Sequence, residues 1–237
     1  MIVAGGALLA AVCGFLASLS PFGGWFSAAT MAAYAAGGVM VVKRVGAFHP
    51  FARFGAGNLL TLLRFMLTCL IAGLAVQIAV AHAPLMPVVA WSFFAMILVA
   101  TLLDGVDGLL ARYQGLASSF GARFDMETDA LLILLLSVVT FTLGKAGALV
   151  LLGGAMRYIF VAAGYIWPAL AQPLPPSQRR KIICVVQSGA LTLQLAPIIT
   201  PPLSEALAFA ALLLLYSFAV DAVWSLRAAH TSALHSA

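Results

Sequence analysis

Charged residues are scarce in this chain. Only 8% of its 237 residues are Asp, Glu, Lys or Arg, whereas 64% are hydrophobic. The mean hydropathy is +1.11, far above the usual range for a soluble domain of this length. The composition therefore excludes an ordinary soluble domain and predicts an integral membrane protein.

Cysteine is also rare, and its positions suggest no metal site. Cys13, Cys69 and Cys184 are odd in number and lie far apart in apolar stretches, so we interpret them as packing residues. The net charge is +5, but the bases sit in short loops beside hydrophobic segments. The preference of positive charge for the cytoplasmic side explains that placement, and nothing indicates nucleic-acid binding.

The few acidic residues are concentrated in one segment. Five of the seven lie within the 26 positions from Asp104 to Asp129. Asp104 and Asp107 are three residues apart, and Asp125 and Asp129 are four apart, so on helices each pair shares one face. A connector of roughly 6 to 10 residues is short enough to make the two helices antiparallel neighbours. The four carboxylates are therefore predicted to converge.

Converging carboxylates need cations or raised pKa values, because uncompensated charge near hydrocarbon costs on the order of a few kcal/mol. Oxygen ligands without Cys or His close in sequence suit hard ions, Mg²⁺ or Mn²⁺. A pair of such ions could bridge a diphosphate. Glu127 lies off the face of Asp125 and Asp129, and we interpret it as a charge at the rim of the site.

The same segment follows the spacing D-x-x-D-G-x-x-A-R, eight residues, then G-x-x-x-D-x-x-x-D. The matching positions are Asp104, Asp107, Gly108, Ala111, Arg112, Gly121, Asp125 and Asp129. This complete pattern resembles the signature of the CDP-alcohol phosphatidyltransferase family. The resemblance covers roughly residues 57 to 227 and implies a six-helix membrane core that uses a CDP-linked donor.

The resemblance also implies roles for single residues. Asp104, Asp107, Asp125 and Asp129 are expected to bind two Mg²⁺ or Mn²⁺ ions, with Asp129 as the general base on the acceptor hydroxyl. The residues expected to bind the CDP or its diphosphate are Asn58, Thr61, Gly108, Ala111, Arg112 and Gly121.

Several of these residues have a physical reading of their own. Gly108 and Gly121 lie on the carboxylate faces, where the missing Cβ admits a ligand or a facing helix. The guanidinium of Arg112 can donate two parallel hydrogen bonds to a phosphate. The family often shows P-N-x-x-T-x-x-R before the site; here Gly57 replaces the proline, and Asn58 alternatively serves as a helix N-cap.

The acceptor site is predicted from two bases. Arg157 lies within a hydrophobic span, where arginine is costly, and is the expected ligand of an acceptor phosphate; pairing with a motif aspartate or snorkelling is the alternative. Lys181 is the second expected acceptor ligand. Family members that use glycerol phosphate tend to show G-K-x-K-T-x-x-Q, but Ile183 and Cys184 stand here in place of Lys and Thr.

Three functions stay open from the sequence. The compact core favours CDP-diacylglycerol as donor and a small polar alcohol as acceptor, with CMP and a phospholipid as products. The reverse arrangement joins CDP-choline or CDP-ethanolamine to diacylglycerol. A divalent-cation transporter, from another class, predicts acids spread along a pathway or in an inverted repeat, and neither pattern is present. A homodimer is expected from the resemblance alone.

The predicted organisation is an all-α, polytopic transmembrane helix bundle. Residues 1–42 form a transmembrane hairpin, 43–57 an interfacial segment, 58–228 the six-helix catalytic core and 229–237 a cytoplasmic tail. The core spans are expected near 59–80, 88–111, 121–141 and 148–170, from 181 onward, and at 203–226.

The bases also predict the orientation of the bundle. All of them fall on one side except Lys145 and Arg157. This asymmetry predicts eight spans with both chain ends, and the site, on the cytoplasmic side of a membrane that we expect to be a bacterial inner membrane. Asp221, near the inner end of the last span, is expected to pair with Arg or Lys.

Overall fold

The computed structural model describes residues 1–18, 22–51, 53–81, 85–171 and 177–235. Within these ranges the chain is helical and contains no strand. The helices are α1 (Ile2–Ser18), α2 (Gly24–Phe48), α3 (Gly55–Ala81), α4 (Pro87–Leu102), α5 (Val106–Tyr113), α6 (Ser119–Thr142), α7 (Leu149–Ile166), α8 (Gln178–Gln194), α9 (Leu203–Ala208) and α10 (Ala210–His235). A 3-10 helix, Pro168–Ala171, follows α7. The predicted all-α bundle is confirmed.

Five helical segments are long and apolar enough to cross a membrane. They are Gly24–Val45, Gly55–Val80, Pro87–Tyr113, Leu149–Ile166 and Leu203–Arg227. Of the remaining long helices, α1 and α8 have 17 residues each, and α6 carries Asp125, Glu127 and Asp129. The chain is therefore an integral, multi-pass membrane protein, and the count of eight spans stays a prediction.

Helix α3 lies at the centre of the bundle. In its most apolar stretch 72% of the residues are buried, against 17–28% in the other four candidate spans. It packs against α2 on one side and against α4, α5 and α6 on the others. Side chains of α3 can therefore reach several helices at once.

The contact between α2 and α3 is close because of glycine. A Cβ at Gly73 of α3 would lie 2.2 Å from the Thr30 hydroxyl and 2.7 Å from the Phe26 backbone oxygen. A Cβ at Gly37 of α2 would lie 2.2 Å from the Phe65 ring. The N-terminal hairpin thus joins the bundle by direct backbone approach.

Two helix boundaries differ from the prediction. Helix α2 continues past residue 42 to Phe48, so its last turns take up part of the predicted interfacial segment. Helix α3 begins at Gly55, which places Asn58 inside the helix. The Asn58 amide donates to the Phe54 carbonyl oxygen at 2.6 Å, so the N-cap interpretation of Asn58 is wrong.

The helix predicted over 88–111 is interrupted. Helix α4 ends at Leu102 and α5 starts at Val106, with Gly105 between them at a φ of 79°. That left-handed conformation suits glycine, which has no Cβ to clash. Asp104 therefore lies in a bend, and it does not share a regular helical face with Asp107.

Lys145, the one base predicted on the outer side, caps a helix. It lies in the connection between α6 and α7, and its ammonium donates to the carbonyl oxygens of Gln194 at 2.9 Å and Ala196 at 2.7 Å. The Gln194 carbonyl ends α8, and the Ala196 carbonyl lies just after it, where it also accepts from the Ile199 N–H at 3.0 Å. Burial lowers the pKa of Lys145, because the charged form loses water.

Replacing Gly73 by Ala is expected to destabilise the bundle by about 1–3 kcal/mol, because the new Cβ overlaps the Thr30 hydroxyl and the Phe26 backbone oxygen of α2. The measurement is thermal unfolding in detergent followed by circular dichroism. Gly14→Ala is the matched control, since a Cβ at Gly14 meets nothing within 4 Å. Equal unfolding temperatures for wild type, Gly73→Ala and Gly14→Ala would contradict the close α2–α3 packing.

Candidate active site

The guanidinium of Arg64 lies among the four aspartates. Its Nη1 atom is 3.0 Å from Asp107 Oδ2 and 2.7 Å from Asp125 Oδ1. Its Nη2 atom is 3.1 Å from Asp104 Oδ1 and also bonds to Asp129. The Arg64 side chain is only 1% exposed. One buried cation thus contacts both halves of the acidic motif.

The two acidic segments meet on α3. Asp107 lies in the first turn of α5, and Asp125 and Asp129 lie on α6. Helices α5 and α6 each pack against α3, which supplies Arg64 and Thr61. The prediction that the two acid-bearing helices are direct neighbours is wrong, because each packs mainly against α3 and not against the other.

Helix α3 approaches α5 at Gly57. A Cβ there would lie 2.6 Å from the Asp107 backbone oxygen and 2.9 Å from the Ala111 Cβ. One turn further along α3, the Thr61 hydroxyl donates to Asp107 Oδ2 at 2.8 Å. Ala111 is thus a packing residue in this structure, and its expected role toward the diphosphate stays a prediction.

Helix α3 approaches α6 at Asn58. A Cβ at Gly121 would lie 2.6 Å from Asn58 Oδ1. Ser118 caps α6 by accepting from the Gly121 N–H at 3.1 Å. The same serine hydroxyl is 3.1 Å from His49 Nδ1, which connects the start of α6 to the segment after α2. The start of α6 is therefore fixed from two sides.

Arg112 lies over Gly108 on the surface of α5. The Arg112 Nη1 atom is 3.3 Å from the point where a Cβ of Gly108 would lie. Arg112 itself is exposed. Its guanidinium therefore has access to a ligand from outside the bundle, as its expected role in phosphate binding requires.

A small cavity lies beside the acids. Its lining residues come from α3, α4, the bend before α5, α6 and α8: Arg64, Thr101, Asp104, Asp129, Leu132, Ile133, Cys184 and Ser188. The hydroxyls of Thr101 and Thr192 are 2.8 Å apart and join α4 to α8. Asp104 and Asp129 face this cavity. Cys184, interpreted from the sequence as a packing residue, contributes to the cavity wall.

The donors of the acid cluster fit a divalent metal. One carboxylate oxygen from each of Asp104, Asp125 and Asp129 lies within 4.8 Å of the other two. Asp107 is outside this triad: its oxygens accept from Thr61, from Arg64 and from the Gly108 N–H at 2.7 Å. Oxygen donors alone suit Mg²⁺ or Mn²⁺.

Arg157 and Lys181 do not line the cavity. Arg157 Nη2 donates to Glu127 Oε1 at 2.7 Å, so the partner of Arg157 is Glu127 and not a motif aspartate. Among the residues described, Arg157 Nε is buried without a hydrogen-bond partner. Lys181 is exposed in the first turn of α8, at helical spacing from Cys184 and Ser188 of the cavity wall.

Sequence reasoning missed the role of Arg64, which it counts only among the bases on the cytoplasmic side. Arg64 ends the N-x-x-T-x-x-R pattern and lies in an otherwise uncharged span. The argument that singles out Arg157 therefore applies equally to Arg64. The expected pairing of Asp221 with a base is confirmed, since Asp221 bonds to Arg179 and lies 3.4 Å from Arg180.

The fold and the site define a helical membrane protein with an acidic centre suited to divalent metals and phosphates. The sequence model of the CDP-alcohol phosphatidyltransferases matches residues 54–222, and the chain belongs to this family. Its members transfer phosphatidyl-type groups in phospholipid synthesis and generally depend on divalent metals. No curated protein and no solved structure matches the chain. Helices α1 and α2 precede the matched region.

Gly57→Ala is expected to lower the rate of CMP release roughly 10- to 100-fold, because the added methyl group moves Asp107 and α5 relative to α3. The rate is measured with CDP donor and divalent metal in mixed micelles. Gly147→Ala, in the connection before α7, is the control, because its Cβ would meet nothing within 4 Å. An unchanged rate for Gly57→Ala would show that the close approach of α3 and α5 does not determine the geometry of the active site.

Proposed function

We propose that this protein transfers a phosphatidyl group from CDP-diacylglycerol to the hydroxyl of a small polar acceptor and releases CMP. The observation that carries the proposal is that Asp104 and Asp129, from the two halves of the signature, line one cavity. That cavity lies within the region matched by the family. A site among membrane helices suits a reaction between a lipid donor and a water-soluble alcohol.

The acid cluster is the proposed binding site for the diphosphate of the donor. Asp104, Asp107, Asp125 and Asp129 would hold two divalent ions, which when bound neutralise charge on the transferring phosphoryl group and on CMP. Arg112, exposed beside Gly108, would donate to a phosphate oxygen.

Asn58 and Thr61 contribute to this proposed site by orientation. Their side chains are buried, with Asn58 5% and Thr61 2% exposed, so both residues contact neighbouring protein groups and not solvent. Thr61 orients Asp107 through its hydroxyl, and Asn58 lies against Gly121 at the start of α6. Their part in CDP binding is therefore to fix the helices that hold the phosphate ligands.

Asp129 is the proposed general base. The acceptor oxygen attacks the phosphorus that bears the diacylglycerol group, while Asp129 takes the proton of the acceptor hydroxyl. A new oxygen–phosphorus bond forms, and the bond from that phosphorus to the departing CMP breaks. Asp129 lines the cavity, whereas the side chain of Asp107 is 3% exposed with both oxygens bonded, which supports Asp129 as the base.

Arg157 and Lys181 are the proposed acceptor ligands. The buried Nε of Arg157 has no partner among the residues described, and a polar acceptor group would supply one. Lys181 precedes Cys184 by about one turn on α8. Because Ile183 and Cys184 replace the Lys and Thr of the glycerol-phosphate pattern, the acceptor is proposed to be another small polar alcohol.

The site is proposed to face the cytoplasm of a bacterial inner membrane. The first turn of α3 and the α5–α6 connector are linked, since Ala56 N donates to Gln114 Oε1 at 2.8 Å. Bases flank this end of the bundle at Lys43, Arg44, Arg53, Arg112 and Arg123. Lys145 follows the far end of α6, which supports a cytoplasmic placement by charge. The homodimer belongs to the same proposal and rests on the family alone.

The donor is tested by CMP release from purified protein with Mg²⁺. CDP-diacylglycerol is offered with inositol phosphate, inositol, serine, glycerol or glycerol 3-phosphate, and CDP-choline or CDP-ethanolamine is offered with diacylglycerol. We expect metal-dependent CMP release with CDP-diacylglycerol and one of the polar acceptors. Turnover only with CDP-choline or CDP-ethanolamine would establish the reverse reaction, and Mg²⁺ uptake into vesicles without nucleotide turnover would favour a transporter.

Asp129→Asn is expected to reduce turnover by about 10²- to 10⁴-fold, since the amide cannot take a proton, while metal-dependent CDP binding persists. Asp104→Asn is expected to weaken both turnover and binding. Turnover is measured as CMP release and binding by calorimetry. Glu205→Gln, an isosteric change of an exposed acid on α9, is the control. Full activity of Asp129→Asn would remove Asp129 from the role of base.

A further inference from the structure

The Arg64 guanidinium makes four hydrogen bonds and one further ion pair inside the bundle. Nε donates to the Ala100 carbonyl oxygen at 3.2 Å, and the two terminal nitrogens contact the four aspartates. An arginine guanidinium has five N–H groups and does not lose its proton in proteins. Five acceptors therefore surround one permanent positive charge.

Arg64 alone does not balance the acids once all four are ionised. Four ionised carboxylates and one guanidinium would carry an excess of three negative charges. Without Arg64 the excess would be four, in a place that water reaches poorly, and unpaired buried charge is strongly destabilising. Arg64 therefore stabilises the bundle while the acids have no other cation.

The same charge opposes other cations at the cluster. Asp104, Asp125 and Asp129, which offer the metal its oxygens, each give an oxygen to Arg64. A divalent ion would share these carboxylates with Arg64 and bind close to a second positive charge, which weakens its binding. Two ions with Arg64 retained would leave one excess positive charge, which the two negative charges of a donor diphosphate would offset.

We propose that Arg64 is an internal counter-ion that holds the acid cluster together before metal arrives and makes full metal occupancy depend on the donor diphosphate. This inference rests on the proposed metal and diphosphate site. It assigns Arg64 a positioning role, since Arg64 acts through the four aspartates. In its absence two divalent ions would neutralise the four carboxylates without any nucleotide.

The test is Mn²⁺ binding, followed by electron paramagnetic resonance of free Mn²⁺, with and without CDP as the diphosphate probe. In wild type, saturating CDP is expected to tighten Mn²⁺ binding at least about tenfold, within the usual range of coupling between sites. In Arg64→Gln, Mn²⁺ without CDP is expected to bind at least about tenfold tighter than in wild type, with little further gain from CDP. The metal-free variant is expected to unfold at a lower temperature than wild type, and Mn²⁺ should close that gap.

Two further variants separate charge from structure. Arg64→Lys keeps the positive charge and is expected to retain the wild-type dependence on CDP. Arg179→Gln removes an arginine that is paired with buried Asp221 outside the site, and it is expected to leave Mn²⁺ affinity unchanged.

Mn²⁺ affinity in Arg64→Gln no tighter than in wild type would overturn the inference, and so would Arg64→Lys behaving like Arg64→Gln. Failure to recover folded Arg64→Gln even when Mn²⁺ is present during purification would overturn it as well, because metal should replace the lost charge. If no variant binds Mn²⁺ with or without CDP, the proposed metal site itself fails. Equal Mn²⁺ affinities of wild type and Arg64→Gln, together with intact CMP release, would contradict only the counter-ion role of Arg64 and not the proposed function.

Discussion

The contact of one buried guanidinium with four carboxylates is the interaction on which the rest of the structure depends. Charges of both signs lie here among membrane helices, where each is stable only with a partner at bonding distance. Arg64 can reach all four acids because α3 is the central helix and packs against α4, α5 and α6. Small residues permit the approach, with Gly57 against α5 and Gly121 against Asn58.

The two sides of α3 contact different parts of the protein. One side presents Thr61 and Arg64 to the acids, whereas Phe65 and Gly73 pack against α2. Helices α1 and α2 precede the region matched by the family, and α2 covers the helix that supplies Arg64. Packing of the hairpin and geometry of the acid cluster are therefore linked through a single helix.

Much of this fold follows from sequence, because apolar spans and acid spacing are local features. The all-α class, the family and the pairing of Asp221 with a base are confirmed. The bend at Gly105 and the partners of Arg64 and Arg157 depend on which helices pack together. Helical periodicity identifies a face but not the helix that covers it. Periodicity therefore did not predict that Arg157 pairs with Glu127 or that Arg64 lies at the centre of the site.

The central claim is that the carboxylates around Arg64, those of Asp104, Asp107, Asp125 and Asp129, bind divalent metal ions. Anomalous diffraction from crystals grown with Mn²⁺ and a CDP donor tests it most directly. The account predicts anomalous peaks bounded by these carboxylates, next to the donor diphosphate. Bound donor without an anomalous peak at the cluster, or aspartate side chains directed into lipid, would contradict it.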